Sequence, residues 1–268
     1  MKDYYNKLSD DYDYLYMQNI KEFQKKQLDI NEEDNYFVDF YPSFGIKETE
    51  TTEFLIYGQA VNGWSSGFCL YEKIDKIKLL KSIKSSNNYL GLKNHTPIDW
   101  VNIQWSNSLY NENCKDEIVK DFYDGQYRAC KSFFWNVSYK LICDYYNLGR
   151  SCFDWSRKLV WSNLYKIAPE DSNPDWFCRN LQQPLSTELI KREIQEINPK
   201  FCIVLTNLDW WIPFRERLQT RIVDYDKLLD EIVSLEYYLN TKIIVTNRPR
   251  FGNSDKFVEQ ILELTKND

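Results

Sequence analysis

The stretch Phe54-Leu-Ile-Tyr-Gly-Gln-Ala-Val-Asn-Gly-Trp64 passes from an unbroken apolar run into a glycine-bracketed polar turn. Such a run, without polar alternation, predicts a short buried strand. In open α/β sheets the turn at the carboxyl end of a strand is where ligands bind. Gly58 and Gly63 allow a tight loop that a Cβ would obstruct, so Gln59 and Asn62 are the side chains the turn presents. An ordinary strand-exit turn is the competing reading of the same residues.

Three further runs have the same character: Leu159–Leu164, Phe201–Thr206 and Lys242–Thr246. Helical patterns lie between them. Ile118, Phe122, Ala129, Phe133, Val137, Leu141 and Tyr145 fall along one stripe of a long helix. Leu189, Ile190, Ile194 and Ile197 mark another, which stops at Asn198-Pro199 just before a strand. A third pattern, from roughly Asp224 to Leu239, leads into the last strand, and a final helix over roughly Asp255 to Leu264 takes Ser254 as its cap. This rhythm predicts an α/β three-layer sandwich, a central four-stranded parallel sheet flanked by helices. Residues 1–50 read as a charged, tyrosine-rich helical extension packed on the core, broken by Pro42 and Gly45, and residues 51–268 as the α/β domain.

Composition narrows the class. Hydrophobic content of 43% supports a packed core, and 8 Gly and 8 Pro in 268 residues leave no long low-complexity linker. Aromatic residues reach 16%, which suits core packing and base-stacking platforms alike. A formal net charge of −6 counts against a general grip on duplex DNA but leaves room for a local basic groove. Arg128, Lys131, Arg157, Lys158, Lys166, Arg179, Arg248 and Arg250 supply cations in the strand-bearing part. Seven cysteines without a CxxC pair read as free thiols of a reducing compartment. Neither a signal core nor a membrane-length apolar run is present, so a cytoplasmic monomer is expected. A single histidine, His95, and scattered cysteines predict no metal site, and no cofactor is implied.

If the strands are parallel, the loops after them emerge along one edge. Gln59 and Asn62 would meet Asn163 and Lys166, Asn207 and Asp209, and Asn247, Arg248 and Arg250 there. Amides carry a donor and an acceptor, which matches the mixed edge of a nucleobase. Arginines near a helix start suit phosphate oxygens. Each residue alone reads as a turn former or surface charge; the shared edge is what makes them a candidate site.

Over about residues 54–260 the chain resembles the uracil-DNA glycosylase superfamily. Tyr57-Gly-Gln-Ala-Val-Asn-Gly63 is similar to the first motif, whose tight turn holds the water-activating group. Val160-Trp-Ser-Asn-Leu-Tyr-Lys-Ile-Ala-Pro169, with Asn173-Pro174 and Cys178 after it, resembles the strand where an asparagine recognises the base. Glu188 to Thr206 looks like the superfamily's helix, Pro-Lys and strand. Ile243-Ile-Val-Thr-Asn-Arg-Pro-Arg250 stands where the superfamily has a His-Pro-Ser segment that enters the minor groove. Two positions depart: Ala60 replaces the carboxylate of the best-known branch, and Arg248 replaces the histidine.

The resemblance implies a uracil-DNA glycosylase-like α/β domain that hydrolyses the N-glycosidic bond of a damaged or modified base flipped out of DNA, altered phage DNA being one fitting target. That reaction needs a positioned water and donors aimed at the departing base. The implied catalytic pair is Gln59 and Asn62. Base binding falls to Gly58, Ala60, Trp64, Phe68, Phe133 and Asn163, and phosphate contact to Lys166, Asn247, Arg248 and Arg250. An amide is no general base, so a carboxylate is expected nearby, with Asp99, Asp154, Glu170 and Asp171 as candidates. The departures also fit a base-binding module without turnover, and the negative charge fits hydrolysis of a free nucleoside or nucleotide.

Overall fold

The computed structural model describes residues 8–29, 35–46, 51–60, 64–87, 98, 100–101, 129–149, 153–223, 229–248 and 253–266. In chain order the elements are α1 (Asp10–Leu28), β1 (Tyr36–Asp39), β2 (Ser43–Phe44), β3 (Phe54–Gly58), β4 (Gly67–Cys69), α2 (Lys76–Asn87), α3 (Phe133–Tyr145), β5 (Leu159–Asn163), β6 (Ile167–Pro169), α4 (Trp176–Ile197), β7 (Phe201–Val204), α5 (Leu208–Leu218), β8 (Arg221–Ile222), β9 (Ile232–Tyr238), β10 (Thr241–Thr246) and α6 (Ser254–Thr265).

The protein is α/β, and its main sheet is larger than the four strands expected. Among the described residues seven strands pair in the order β2-β5-β3-β7-β10-β9-β8. The pairs β5–β3, β3–β7 and β7–β10 are parallel, while β2–β5, β10–β9 and β9–β8 are antiparallel. Side chains alternate across the central strands. Leu55, Tyr57, Val160, Cys202, Val204, Ile243 and Val245 enter one core with residues of α1, α4 and α5. Phe54, Ile56, Leu159, Trp161, Phe201, Ile203 and Ile244 enter a second core with residues of α3 and α6. Burial on both faces is why these strands read as continuous apolar runs.

The helix expected over Asp224 to Leu239 is replaced, where described, by β9, which forms a hairpin with β10 through Leu239-Asn240. Pairing with the free edge of β10 overrides local helical spacing, and the β-branched and aromatic residues of Ile232–Tyr238 suit it. The stripe from Ile118 to Tyr145 gives a shorter helix, because Ser132 accepts from the Trp135 N–H and starts α3 at Phe133; residues 118 and 122 lie outside the described residues. At α6 the cap is Asn253, with Ser254 already helical.

The described residues before 50 are built into the core. α1 packs along α4, and β2 adds a strand to the main sheet beside β5. β1 is the middle of a second, three-stranded antiparallel sheet ordered β4-β1-β6. Phe40 N–H donates to the Lys166 carbonyl at 2.8 Å, which sets this small sheet beside the carboxyl end of β5.

Candidate functional site

The strand register brings the carboxyl ends of β3, β5, β7 and β10 together. Gly58 lies opposite Asn163. Leu205 N–H donates to the Tyr57 carbonyl, and Asn207 N–H to the Thr246 carbonyl. One rim therefore carries Gln59, Asn163, Thr206 and Asn207, with Asn247 and Arg248 directly after β10.

Gly58 leaves the space into which Asn163 reaches. A Cβ at residue 58 would stand 2.5 Å from Asn163 Oδ1 and 3.6 Å from Cε2 of Phe134. Asn163 is 2% exposed, and its Nδ2 has no hydrogen-bond partner among the described residues. Leaving a buried amide donor unpaired costs about 1–3 kcal/mol, so a native fold that does so at a strand end calls for an explanation. An acceptor-bearing ligand supplies one.

Gln59 is held on both sides. Its Nε2 donates to the Thr206 carbonyl at 3.2 Å, and its own carbonyl accepts from the Tyr165 N–H at 3.0 Å. The side chain is thereby tied across β3 and β7, with Oε1 as its remaining acceptor. Ala60 is half-buried and touches both cores. Asn62 lies outside the described residues.

The aromatic residues divide differently from expectation. Trp64 is buried among Phe40, Trp100 and Trp161, at ring separations of 5.2, 6.1 and 5.5 Å, and so backs the β5 wall. Phe68 is not brought to the rim; it sits on β4, packed against Phe23 and Phe37 in the α1-side core. Phe133 turns toward α6, its ring 5.5 Å from that of Phe257. Its neighbour Phe134 is the ring that meets Gly58, because successive helix residues point about 100° apart.

Lys166 is a correction of a different kind. Expected to meet phosphate, it is fully buried, with Nζ 2.7 Å from Glu193 Oε1, 2.7 Å from Ser162 Oγ and 2.6 Å from the Asn163 carbonyl. Glu193 also accepts from the hydroxyls of Tyr12 at 2.6 Å and Tyr57 at 2.8 Å. Burial lowers the Lys166 ammonium from the usual lysine range, with Glu193 pulling it back up. Burial first, then Glu193, lifts the Tyr57 phenol well above its ordinary value. A cation without solvent contact cannot reach a phosphate.

Asn247 also works inward, its backbone N–H on the Glu231 carbonyl and its Nδ2 on the Asp230 carbonyl. Arg248 follows it, half-buried, and Arg250 lies outside the described residues. Of the candidate carboxylates, Asp99 and the side chain of Asp154 are outside the described residues. Glu170 and Asp171 line a separate surface cleft with Gln27, Tyr36 and Asp175. Asp209, exposed on the first turn of α5, is a carboxylate that the rim loops do carry.

A second cation approaches the rim by a chain of contacts. The Arg179 guanidinium lies 4.6 Å over the Trp210 ring, and Trp210 packs on Tyr165 at 5.7 Å. Phe134 and Thr206 went unrecognised in the sequence. The only signal for the first was its place one residue after the stripe, and the second shows no side-chain signal, since its carbonyl makes the contact.

No protein-family model matches this chain, and no curated protein matches it. Among the described residues no helix is long and apolar enough to cross a membrane. Nor do the described residues include three or more His, Cys, Asp or Glu side chains grouped to hold a metal ion.

Proposed function

We propose that β5, β3, β7 and β10 are the parallel core of a uracil-DNA glycosylase-like fold, and that their rim binds a damaged or modified base flipped out of DNA for hydrolysis of its N-glycosidic bond. The observation that carries this reading is the buried, unpartnered amide of Asn163 beside Gly58. In this reading Asn163 Nδ2 donates to a carbonyl oxygen of the base and Phe134 stacks on its face. The donor gains strength as negative charge develops on the departing base, which is how a preorganised polar group lowers a barrier. Gln59, fixed by Thr206, directs a water with Oε1; the water oxygen bonds to the sugar carbon as the base leaves with the electrons of the broken N-glycosidic bond, and the water's proton ends on the departing base. Arg179 and Arg248 hold backbone phosphate, a role the buried Lys166 leaves to them. The natural setting is a cytoplasmic protein acting on DNA.

The test is incubation of purified protein with oligonucleotides carrying uracil, hypoxanthine or a hypermodified cytosine, followed by alkaline cleavage of abasic sites. Strand scission with the wild type and its loss in Asn163→Ala is the expected result. Binding without scission identifies a base-binding module, and release of base from mononucleotides alone identifies a nucleoside or nucleotide hydrolase. Full activity in Asn163→Ala removes Asn163 from base recognition.

A further inference from the structure

The ion pair beneath the rim is placed to do more than fill the core. We propose that Lys166, held by Glu193, is a positioning residue that fixes Asn163 in the orientation the base requires; this rests on the base-pocket reading above. An ammonium has three protons, and each has an acceptor: the Asn163 carbonyl at 2.6 Å, Ser162 Oγ at 2.7 Å and Glu193 Oε1 at 2.7 Å. Glu193 is itself gripped by Tyr12 from α1 and Tyr57 from β3. Two helices and two strands thus converge on the main chain of Asn163, whose side-chain Nδ2 has no partner among the described residues. An apolar pair of similar volume often packs as well as a buried ion pair, although here it would leave the Tyr12 and Tyr57 hydroxyls without their acceptor. It cannot hold a carbonyl in place.

The test uses the full chain with asparagine-selective isotope labelling, the Asn163 side-chain amide resonance being assigned by its loss in Asn163→Asp. The paired variant Lys166→Met with Glu193→Leu keeps the volume and removes both charges together. The expected result is a cooperatively folded protein in which the Asn163 amide resonance is displaced and broadened. Excision from uracil, hypoxanthine or hypermodified-cytosine oligonucleotides under single turnover then falls about 100-fold, the scale of a small misplacement. In an Asn163→Ala background the same pair of changes causes no further loss. An unchanged amide resonance overturns the proposal, as do rate losses that multiply in the Asn163→Ala background. If the paired variant does not fold, Tyr57→Phe, which removes one donor from Glu193, is expected to displace the same resonance by less, and no displacement overturns the proposal. Absence of excision by the wild type defeats the glycosylase reading alone, because the amide resonance still decides the role of Lys166.

Discussion

Asn163 Oδ1 occupies the space that a side chain on Gly58 would fill, 2.5 Å from where that Cβ would stand. The atom displaced by Gly58→Ala is the end of a rotatable side chain, so the fold absorbs the change. Stability is expected to fall by about 1–3 kcal/mol, the range for an added methyl in a packed site. Binding of a uracil-bearing oligonucleotide is expected to weaken by about tenfold or more through misplacement of the amide. Urea titration and fluorescence anisotropy measure the two effects, and unchanged binding by the destabilised variant would tie Gly58 to stability only.

Phe133 and Phe134 are expected to separate by function. Phe133→Ala loses the contact with Phe257, destabilising by less than the roughly 3–5 kcal/mol of a fully buried phenylalanine, with base affinity kept. Phe134→Ala costs about 1–3 kcal/mol of binding, the range for a base stacked on an aromatic ring. The reverse pattern in paired melting and binding measurements would place the pocket on the other side of α3.

Glu193→Leu strands a buried ammonium and is expected to cost about 3–5 kcal/mol in urea denaturation. Adding Lys166→Met to it recovers most of that loss. A double variant no more stable than the single would mean that Glu193 matters for its tyrosine partners rather than for Lys166.

Alkaline pH is expected to unfold the protein through its buried phenols. Tyr12, Tyr16 and Tyr57 are held well above the ordinary tyrosine range, chiefly by burial, with Glu193 adding to the first and last and Asp39 to Tyr16. Burial also pushes Tyr165 up to about 12. The folded state keeps these protons after the unfolded chain begins to lose them near pH ~10. Their stabilisation is therefore complete below that pH and is lost as pH rises past it. Lys166, lowered by burial, acts with the opposite sign below lysine's usual value of about 10.4, one group against these four phenols. Phenolate absorbance and circular dichroism should change together, and Tyr57→Phe should flatten the decline. Gradual phenolate formation in a protein that keeps its native spectrum would refute this account.

Arg179→Ala is expected to weaken DNA binding evenly across base identities and to reduce the salt slope by about one, as removal of a phosphate contact does. Measurement at several salt concentrations decides it. A loss confined to one base would move Arg179 into base recognition.

The central strands were legible because Phe54–Tyr57 and its three counterparts are buried on two faces, and that constraint leaves the unbroken apolar stretches 54–57, 159–161, 201–205 and 243–245. The sheet edges were not. β2 is two residues long, and β9 owes its state to the neighbouring edge of β10 rather than to its own spacing. Gly58, Gln59 and Asn163 could be placed on one rim from the sequence because a strand end specifies where a side chain goes. Lys166 was misread because Glu193, which pairs with it, and Tyr12 and Tyr57, which hold Glu193, come from three separate elements, and local sequence holds no trace of them. Phe134 was missed by a single helical step.

The pairing of early with late segments has a consequence for synthesis. β1 needs β6, β2 needs β5, and α1 needs α4, so each apolar face near the amino end waits for a partner made much later. Such long-range closure slows folding and exposes unfinished surface while the chain is still growing. On the ribosome, α1, β1 and β2 are therefore expected to stay without their final partners until α4 has emerged.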